Sequence, residues 1–202
     1  MNAFFRLAHL LLAPVFRCMF RVEVKGLEIL PRSGVMLCPN HSSNWDPLLM
    51  LSVLPVDYHL YSMAKDSLFR IPVLSSIIRA CGGFPVARGH SDIQAVKTAM
   101  QTIKNGDNLL IFPEGTRVDH EGEVEAKGGV AMIAIRTGAT IVPVYITPEK
   151  KLFHRVRIVF GPVYEPVYTG RRGTAEELQK IADDILREAY ALGGQAVGGK
   201  PL

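Results

Sequence analysis

A series of short apolar runs, separated by segments with helical patterning, constrains this fold more than any other feature of the sequence. Arg21-Val22-Glu23-Val24-Lys25-Gly26 alternates polar and apolar residues as a half-exposed strand does, and Val35-Met36-Leu37-Cys38 reads as a buried one. Further runs lie at Tyr58 to Met63, Phe84 to Val86, Leu109 to Phe112, Ile141 to Ile146 and Val156 to Phe160. Between them, a segment beginning near Ser91 places Ile93, Val96, Met100 and Ile103 on one helical face and stops at Asn105-Gly106. A second helical pattern spans Gly129 to Thr137 and halts at Gly138. A third opens with Thr174-Ala175-Glu176-Glu177, a capping-box pattern, and keeps Leu178, Ile181 and Ile185 in register. Strands alternating with helices predict an α/β layered domain with a largely parallel central sheet flanked by helices.

The chain has 202 residues, 48% of them hydrophobic, and no linker or internal repeat divides it, so one domain is expected over residues 21–190. Residues 191–202 are glycine-rich without apolar periodicity and read as a flexible tail. Residues 1–20 are set apart by an apolar stretch from Leu7 to Phe16, interrupted by His9 and Pro14, flanked by Arg6, Arg17 and Arg21, and carrying Phe4, Phe5, Phe16 and Phe20. The stretch is shorter than the roughly 20 apolar residues of a spanning helix, and no small-residue cleavage site follows it. It reads as an amphipathic N-terminal helix with two open placements: in the headgroup layer of an anionic membrane, or packed on the core.

The 23 Lys and Arg against 19 Asp and Glu leave a net charge of +4, which suits an anionic partner. No run of Lys or Arg and no basic stretch studded with aromatics is present, which argues against nucleic acid. Cys18, Cys38 and Cys81 are scattered and form no CxxC pair, against a disulfide framework or a structural zinc site.

In parallel α/β sheets, chemistry gathers in the loops beyond strand ends. After the run ending at Cys38 comes Pro39-Asn40-His41-Ser42-Ser43-Asn44-Trp45-Asp46-Pro47. A His and an Asp five positions apart on a strand-to-helix turn can approach closely enough for the carboxylate to orient one ring nitrogen. The other nitrogen is then a base toward a substrate hydroxyl. A loop histidine with Asp46 capping the next helix is the plain alternative. After the run ending at Phe112 comes Pro113-Glu114-Gly115-Thr116-Arg117, which puts an acid, a flexible glycine, a hydroxyl and a guanidinium on one loop. That set suits a phosphate; a turn closed by a Glu114 to Arg117 ion pair is the alternative.

Taken in order, Asn40-His41-x4-Asp46, Gly83-Phe84-Pro85-Val86-x-Arg88-Gly89, Phe112-Pro113-Glu114-Gly115-Thr116-Arg117 and Ile141-Val142-Pro143-Val144 resemble the four-motif signature of the glycerolipid acyltransferase family. The resemblance implies that family's fold. It also implies transfer of a fatty acyl group from a thioester, acyl-coenzyme A or acyl carrier protein, to the free hydroxyl of 1-acylglycerol-3-phosphate (lysophosphatidic acid), giving phosphatidic acid. No cofactor beyond the acyl donor is implied. His41 would be the general base and Asp46 its orienting partner. Arg88, Glu114, Gly115, Thr116 and Arg117 would line the acceptor site, with the arginines on its phosphate, while Lys65 and Lys127 would add positive charge. Backbone amides near the His41 loop are candidates for the oxyanion. The expected setting is the cytoplasmic face of the cell membrane, in peripheral or monotopic contact.

Other readings are weaker. Cys38, close before His41, could in principle accept an acyl group, but its apolar neighbours suggest an inert thiol. A metal site on His41, Asp46 and His90 lacks a further ligand at credible spacing, and no Gly-x-Ser-x-Gly turn supports a serine hydrolase. A different lysolipid acceptor remains open within the enzyme class, since Ala87 occupies a position of the second motif that is polar in many family members. A non-catalytic lipid-binding protein is the reading from another class, and intact His41, Asp46 and Glu114 speak against it.

Overall fold

Val35 through Pro39 are all buried, and the strand they form stands in the middle of the molecule. The computed structural model describes residues 3–87 and 92–194. In chain order its elements are α1 (Ala3–Met19), β1 (Val22–Lys25), β2 (Val35–Pro39), α2 (Asp46–Val53), β3 (Leu60–Lys65), α3 (Pro72–Ala80), β4 (Gly83–Val86), α4 (Ile93–Lys104), β5 (Asn108–Leu110), α5 (Gly129–Thr137), β6 (Thr140–Ile146), β7 (Val156–Phe160) and α6 (Ala175–Gly194). The strands join in one sheet of order β1-β7-β6-β2-β5-β3-β4. Neighbours run parallel except β6 and β7, which are antiparallel. The expected layered α/β domain with a largely parallel sheet is the observed one.

Side-chain alternation along the central strands divides the core in two. Met36, Cys38, Leu109 and Ile141 face one side, where they meet Ala95 and Ala99 of α4, Val130 and Ile133 of α5, and Ile181 and Ile185 of α6. Val35, Leu37, Leu110, Val142 and Val144 face the other, where they meet Leu49, Met50 and Val53 of α2. A strand buried on both faces must be apolar throughout, and that is why Val35 to Cys38 could be recognised.

Helix ends follow their local chemistry. Thr174 and Glu177 form the capping box: the Thr174 amide donates to Glu177 Oε2 at 2.7 Å and the Glu177 amide to Thr174 Oγ1 at 3.2 Å. Asp92 accepts from the Ala95 amide at 2.9 Å and starts α4. Gly138 ends α5 in the left-handed region.

The structure departs from the sequence pattern in four places. On α4 the buried residues are Ala95, Ala99, Thr102 and Ile103, while Ile93 is exposed; the two alanines let the helix lie close on the sheet. Residues 191–194, assigned to the tail, instead continue α6 to Gly194, and the rest of that stretch, 195–202, lies outside the described residues. Leu192 is buried with Tyr145 and Val159, and the Arg157 guanidinium donates to the Gly193 carbonyl at 2.8 Å. A proline ordinarily interrupts a strand pattern, yet Pro143 stands inside β6, which runs on to Ile146. Its carbonyl accepts from Gly161 on the β7 side, so its missing amide falls past Phe160, the last β7 residue in the ladder. Helix α3 has none of its side chains buried, and the sequence reading passed over it.

Helix α1 packs on the core, with Ala13 buried, as is Phe20 just past the helix end. His9 Nε2 lies 2.9 Å from the Leu51 carbonyl and 3.2 Å from that of Leu54. Arg17 Nε donates to the Ser52 carbonyl at 2.8 Å, and its Nη2 to that of Val53 at 3.3 Å. These are carbonyls that the last turn of α2 leaves without helical amide partners. Pro14 stands inside α1 on its exposed side, where water can bond the carbonyl that loses its amide partner.

Candidate active site

β2, β5 and β6 are adjacent and parallel, so their C-terminal ends share one edge of the sheet. The chain leaves β2 through α2 on one face and β5 through α5 on the other. The two connections therefore diverge between the ends of β2 and β5, the position where open α/β sheets take ligands. His41 follows β2, Glu114 follows β5 and Lys150 follows β6.

Asp46 is 0% exposed and His41 6%. His41 Nδ1 lies 2.9 Å from Asp46 Oδ2. The same oxygen accepts from the amides of Ser42 at 2.9 Å and Ser43 at 2.8 Å. Asp46 Oδ1 takes the Lys150 ammonium at 2.7 Å. Burial alone would push the Asp46 carboxyl up, but the His41 bond, the Lys150 charge and bond, and the Ser43 amide together hold it below the ordinary carboxylate range. An ionised carboxylate only accepts, so Nδ1 carries the proton and Nε2 is left as the basic nitrogen.

The imidazole is held from every side that the fold supplies. Phe112 stacks on it, with ring centroids 4.0 Å apart and planes inclined by 24°. The His41 amide donates to Glu114 Oε2 at 2.6 Å, and the His41 carbonyl accepts from the Val118 amide at 2.9 Å. Asn40 extends the pairing of β2 with β6 through its side chain: Nδ2 donates to the Ile146 carbonyl at 2.9 Å and Oδ1 accepts from the Ile146 amide at 2.7 Å.

Glu114 turns inward beneath the His41 loop and away from Arg117. It is 1% exposed, and its second oxygen accepts from the Tyr190 hydroxyl of α6 at 2.7 Å. Burial pushes its carboxyl up to about 7, with the Tyr190 and His41 bonds opposing and the charges of Asp46 and Glu123 assisting. Gly115 has φ +66°, and a Cβ there would stand 3.2 Å from Lys127 Cγ, so the backbone conformation and the space both call for glycine. Thr116 and Arg117 are exposed on the rim of this loop, as is Lys127, whose amide donates to the Pro113 carbonyl at 2.8 Å. Lys65 is exposed at the end of β3, on the same sheet edge. Arg88 lies outside the described residues.

Two contributors escaped the sequence reading. Lys150 follows the β6 strand run, and a search beyond every strand end would have met it. Tyr190 sits on the last helix among apolar positions, and a hydroxyl there was the available signal. Two expectations change as well. The amides of His41, Ser42 and Ser43 already serve Glu114 and Asp46, so they are not free for an oxyanion. Cys38 is fully buried, and burial pushes its thiol far up, which removes the thiolate a nucleophile needs.

A family model described as Acyltransferase matches residues 21–147. A 1-acyl-sn-glycerol-3-phosphate acyltransferase of Bacillus subtilis is 32% identical over 153 residues, covering 73% of this chain and 74% of that protein. The chloroplastic 1-acyl-sn-glycerol-3-phosphate acyltransferase BAT2 of Brassica napus is 28% identical over 182 residues, 82% of this chain but 51% of that protein, so the chain spans about half its length. The crystal structure of the 1-acyl-sn-glycerophosphate acyltransferase of Thermotoga maritima matches with a TM-score of 0.68 at 25% identity, over 95% of this chain and 79% of that one.

The Glu114 value lies above the ordinary 4.5, so the folded protein keeps a proton that the unfolded chain releases. Stability from this group is full at acid pH and is lost as pH rises through about 7. Between pH 4 and 8 the wild type should therefore lose roughly 2–4 kcal/mol more unfolding free energy than Glu114→Gln, measured by urea denaturation. Parallel pH profiles for the two proteins would contradict the assignment.

Proposed function

This chain belongs to the acyltransferase family, and on that premise we propose that it transfers a fatty acyl group from a thioester, acyl-coenzyme A or acyl carrier protein, to the free hydroxyl of 1-acylglycerol-3-phosphate, giving phosphatidic acid. The observation that carries the reading is the buried His41 to Asp46 contact at 2.9 Å, which makes Nε2 the base. Nε2 takes the proton of the acceptor hydroxyl as its oxygen attacks the thioester carbonyl carbon. Asp46 stabilises the imidazolium that forms. The tetrahedral intermediate collapses by breaking the carbon–sulfur bond, and the departing thiolate takes the proton from His41. The products are an ester and a free thiol, and the thioester supplies the activation, so the reaction needs no cofactor.

The acceptor's phosphate belongs on the rim. Arg117 offers a bidentate guanidinium, Thr116 a hydroxyl, and Lys127, beside Gly115, a further charge; Lys65 adds another from the end of β3, and the family motif assigns Arg88 to the same phosphate. Glu114, with both oxygens engaged, acts beneath the His41 loop as a positioning residue.

The acceptor and the product are lipids, so the site works at a membrane. Among the described residues no helix is long and apolar enough to cross one. Residues 1–20 supply the contact in this reading, ahead of the acyltransferase domain that begins at residue 21. Leu10 and Val15 of α1 are 65% and 50% exposed, beside exposed Arg6 and Arg17, a set suited to the anionic headgroup layer at the cytoplasmic face. Trp45, inside the His41 to Asp46 loop, packs on Phe16 and Phe20 with centroid distances of 5.9 and 5.6 Å, which ties that helix to the site.

His41→Ala should lower acceptor-dependent thiol release by about 10²- to 10⁴-fold with the circular dichroism spectrum unchanged; turnover within a few fold of wild type would remove the base. Arg117→Ala should chiefly raise the KM for a phosphate-bearing acceptor, and an unchanged KM would remove its phosphate role. Leu10→Glu with Val15→Glu should weaken binding to phosphatidylglycerol vesicles while activity on detergent-dispersed acceptor persists. Equal vesicle binding would leave α1 as a core helix alone.

A further inference from the structure

Lys150 enters the site from the loop after β6, and the reaction as derived has no use for it. Its side chain is 2% exposed, and its ammonium stands 2.7 Å from Asp46 Oδ1. It also donates to Ser42 Oγ at 2.7 Å and to the Pro148 carbonyl at 3.3 Å, while Ser42 Oγ donates to that same carbonyl at 2.9 Å. The ammonium therefore makes two hydrogen bonds within the loops and meets Asp46 Oδ1 as an ion pair. Withdrawing a lysine and an aspartate from water together carries a desolvation penalty that their attraction often only balances. Net stability is thus a poor reason for the pair, and the place to look for its effect is the third member of the contact, His41.

The charges around the imidazole are unequal without Lys150. Asp46 faces it from the start of α2, Glu114 reaches its backbone amide from the loop after β5, and Tyr190 of α6 touches Glu114. The first two are acids and the third is neutral. Among the described residues bonded to this cluster, Lys150 brings the cation. A buried carboxylate with no compensating charge favours the imidazolium, and an imidazolium already holds the proton that the acceptor hydroxyl must give up.

We propose that Lys150 is a positioning residue that offsets the Asp46 charge from the far oxygen, so that the His41 imidazole stays neutral and basic at the pH where the enzyme works. The inference rests on the acyl-transfer reading, in which a neutral His41 is the base. It assigns the two Asp46 oxygens different tasks: Oδ2 orients the imidazole, and Oδ1 receives the charge that restrains its proton affinity. Burial holds the Lys150 ammonium below the ordinary lysine range, and the Asp46 carboxylate opposes that shift only in part.

The test compares wild type with Lys150→Gln, which keeps donors for Asp46 and Ser42 without the charge, and Lys150→Arg, which keeps the charge. Two quantities are read: the pH profile of kcat/KM with acyl-coenzyme A and 1-acylglycerol-3-phosphate, and the midpoint of the His41 imidazole from ¹⁵N NMR. In Lys150→Gln both the acid limb and the midpoint should move up by about one pH unit, a tenfold loss of kcat/KM below the limb with the plateau within a few fold. Lys150→Arg should return both toward wild type. An equal loss at every pH with an unmoved midpoint would overturn the proposal and leave Lys150 as a loop tie. An active wild type with an unmoved midpoint defeats this inference alone. A wild type without acyl transfer whose midpoint still moves in Lys150→Gln defeats the acyl-transfer reading and keeps the coupling. If Lys150→Gln does not fold, the midpoint is read in Lys150→Met, which removes the charge at similar volume.

Discussion

A fully buried carboxylate has to be satisfied by the protein, and that demand on Asp46 organises the structure around it. Oδ2 takes the imidazole and the amides of Ser42 and Ser43, and Oδ1 takes the Lys150 ammonium. Those donors come from the loop after β2 and the loop after β6. A third loop, after β5, closes the assembly through Glu114 and Phe112. The three loops meet only because β5, β2 and β6 are adjacent and parallel, and that order requires helices on both faces of the sheet.

The same geometry leaves the site closely bonded around the proposed base and exposed on the side proposed for the acceptor. Asn40, Asp46 and Glu114 are buried and bonded to neighbouring segments, while Thr116, Arg117, Lys127 and Lys65 stay on the exposed rim. Preorganised groups beneath and exposed polar side chains above suit the proposed reaction, in which a fixed base meets a lipid acceptor with an anionic head. α1 adds a brace from outside: it bonds the end carbonyls of α2, whose first residue is Asp46, and packs its aromatics on Trp45. Disturbing the N-terminal helix therefore perturbs both ends of the helix that carries the carboxylate.

Much of the fold was legible because it is written locally. Buried strands are continuous apolar runs, the capping box at Thr174 and Glu177 forms across three residues, and glycines mark the stops of α4 and α5. His41 and Asp46 were legible for the same reason, being close in sequence on one turn. Lys150 and Tyr190 were not, because each reaches the site through strand order and helix placement, which no local pattern encodes. Glu114 was visible as a motif residue, but its inward direction depends on Tyr190. α3 left no reading because none of its side chains is buried, and Ile93 misled because the buried stripe of α4 is carried by small residues.

An ionised Asp46 holds His41 in one tautomer, with the proton on Nδ1 and the lone pair on Nε2. The most direct measurement is the ¹⁵N shift of both His41 ring nitrogens in the folded protein above its titration midpoint. A protonated-type Nδ1 and an unprotonated-type Nε2 are expected. A proton on Nε2, or averaged shifts from two exchanging tautomers, would contradict it.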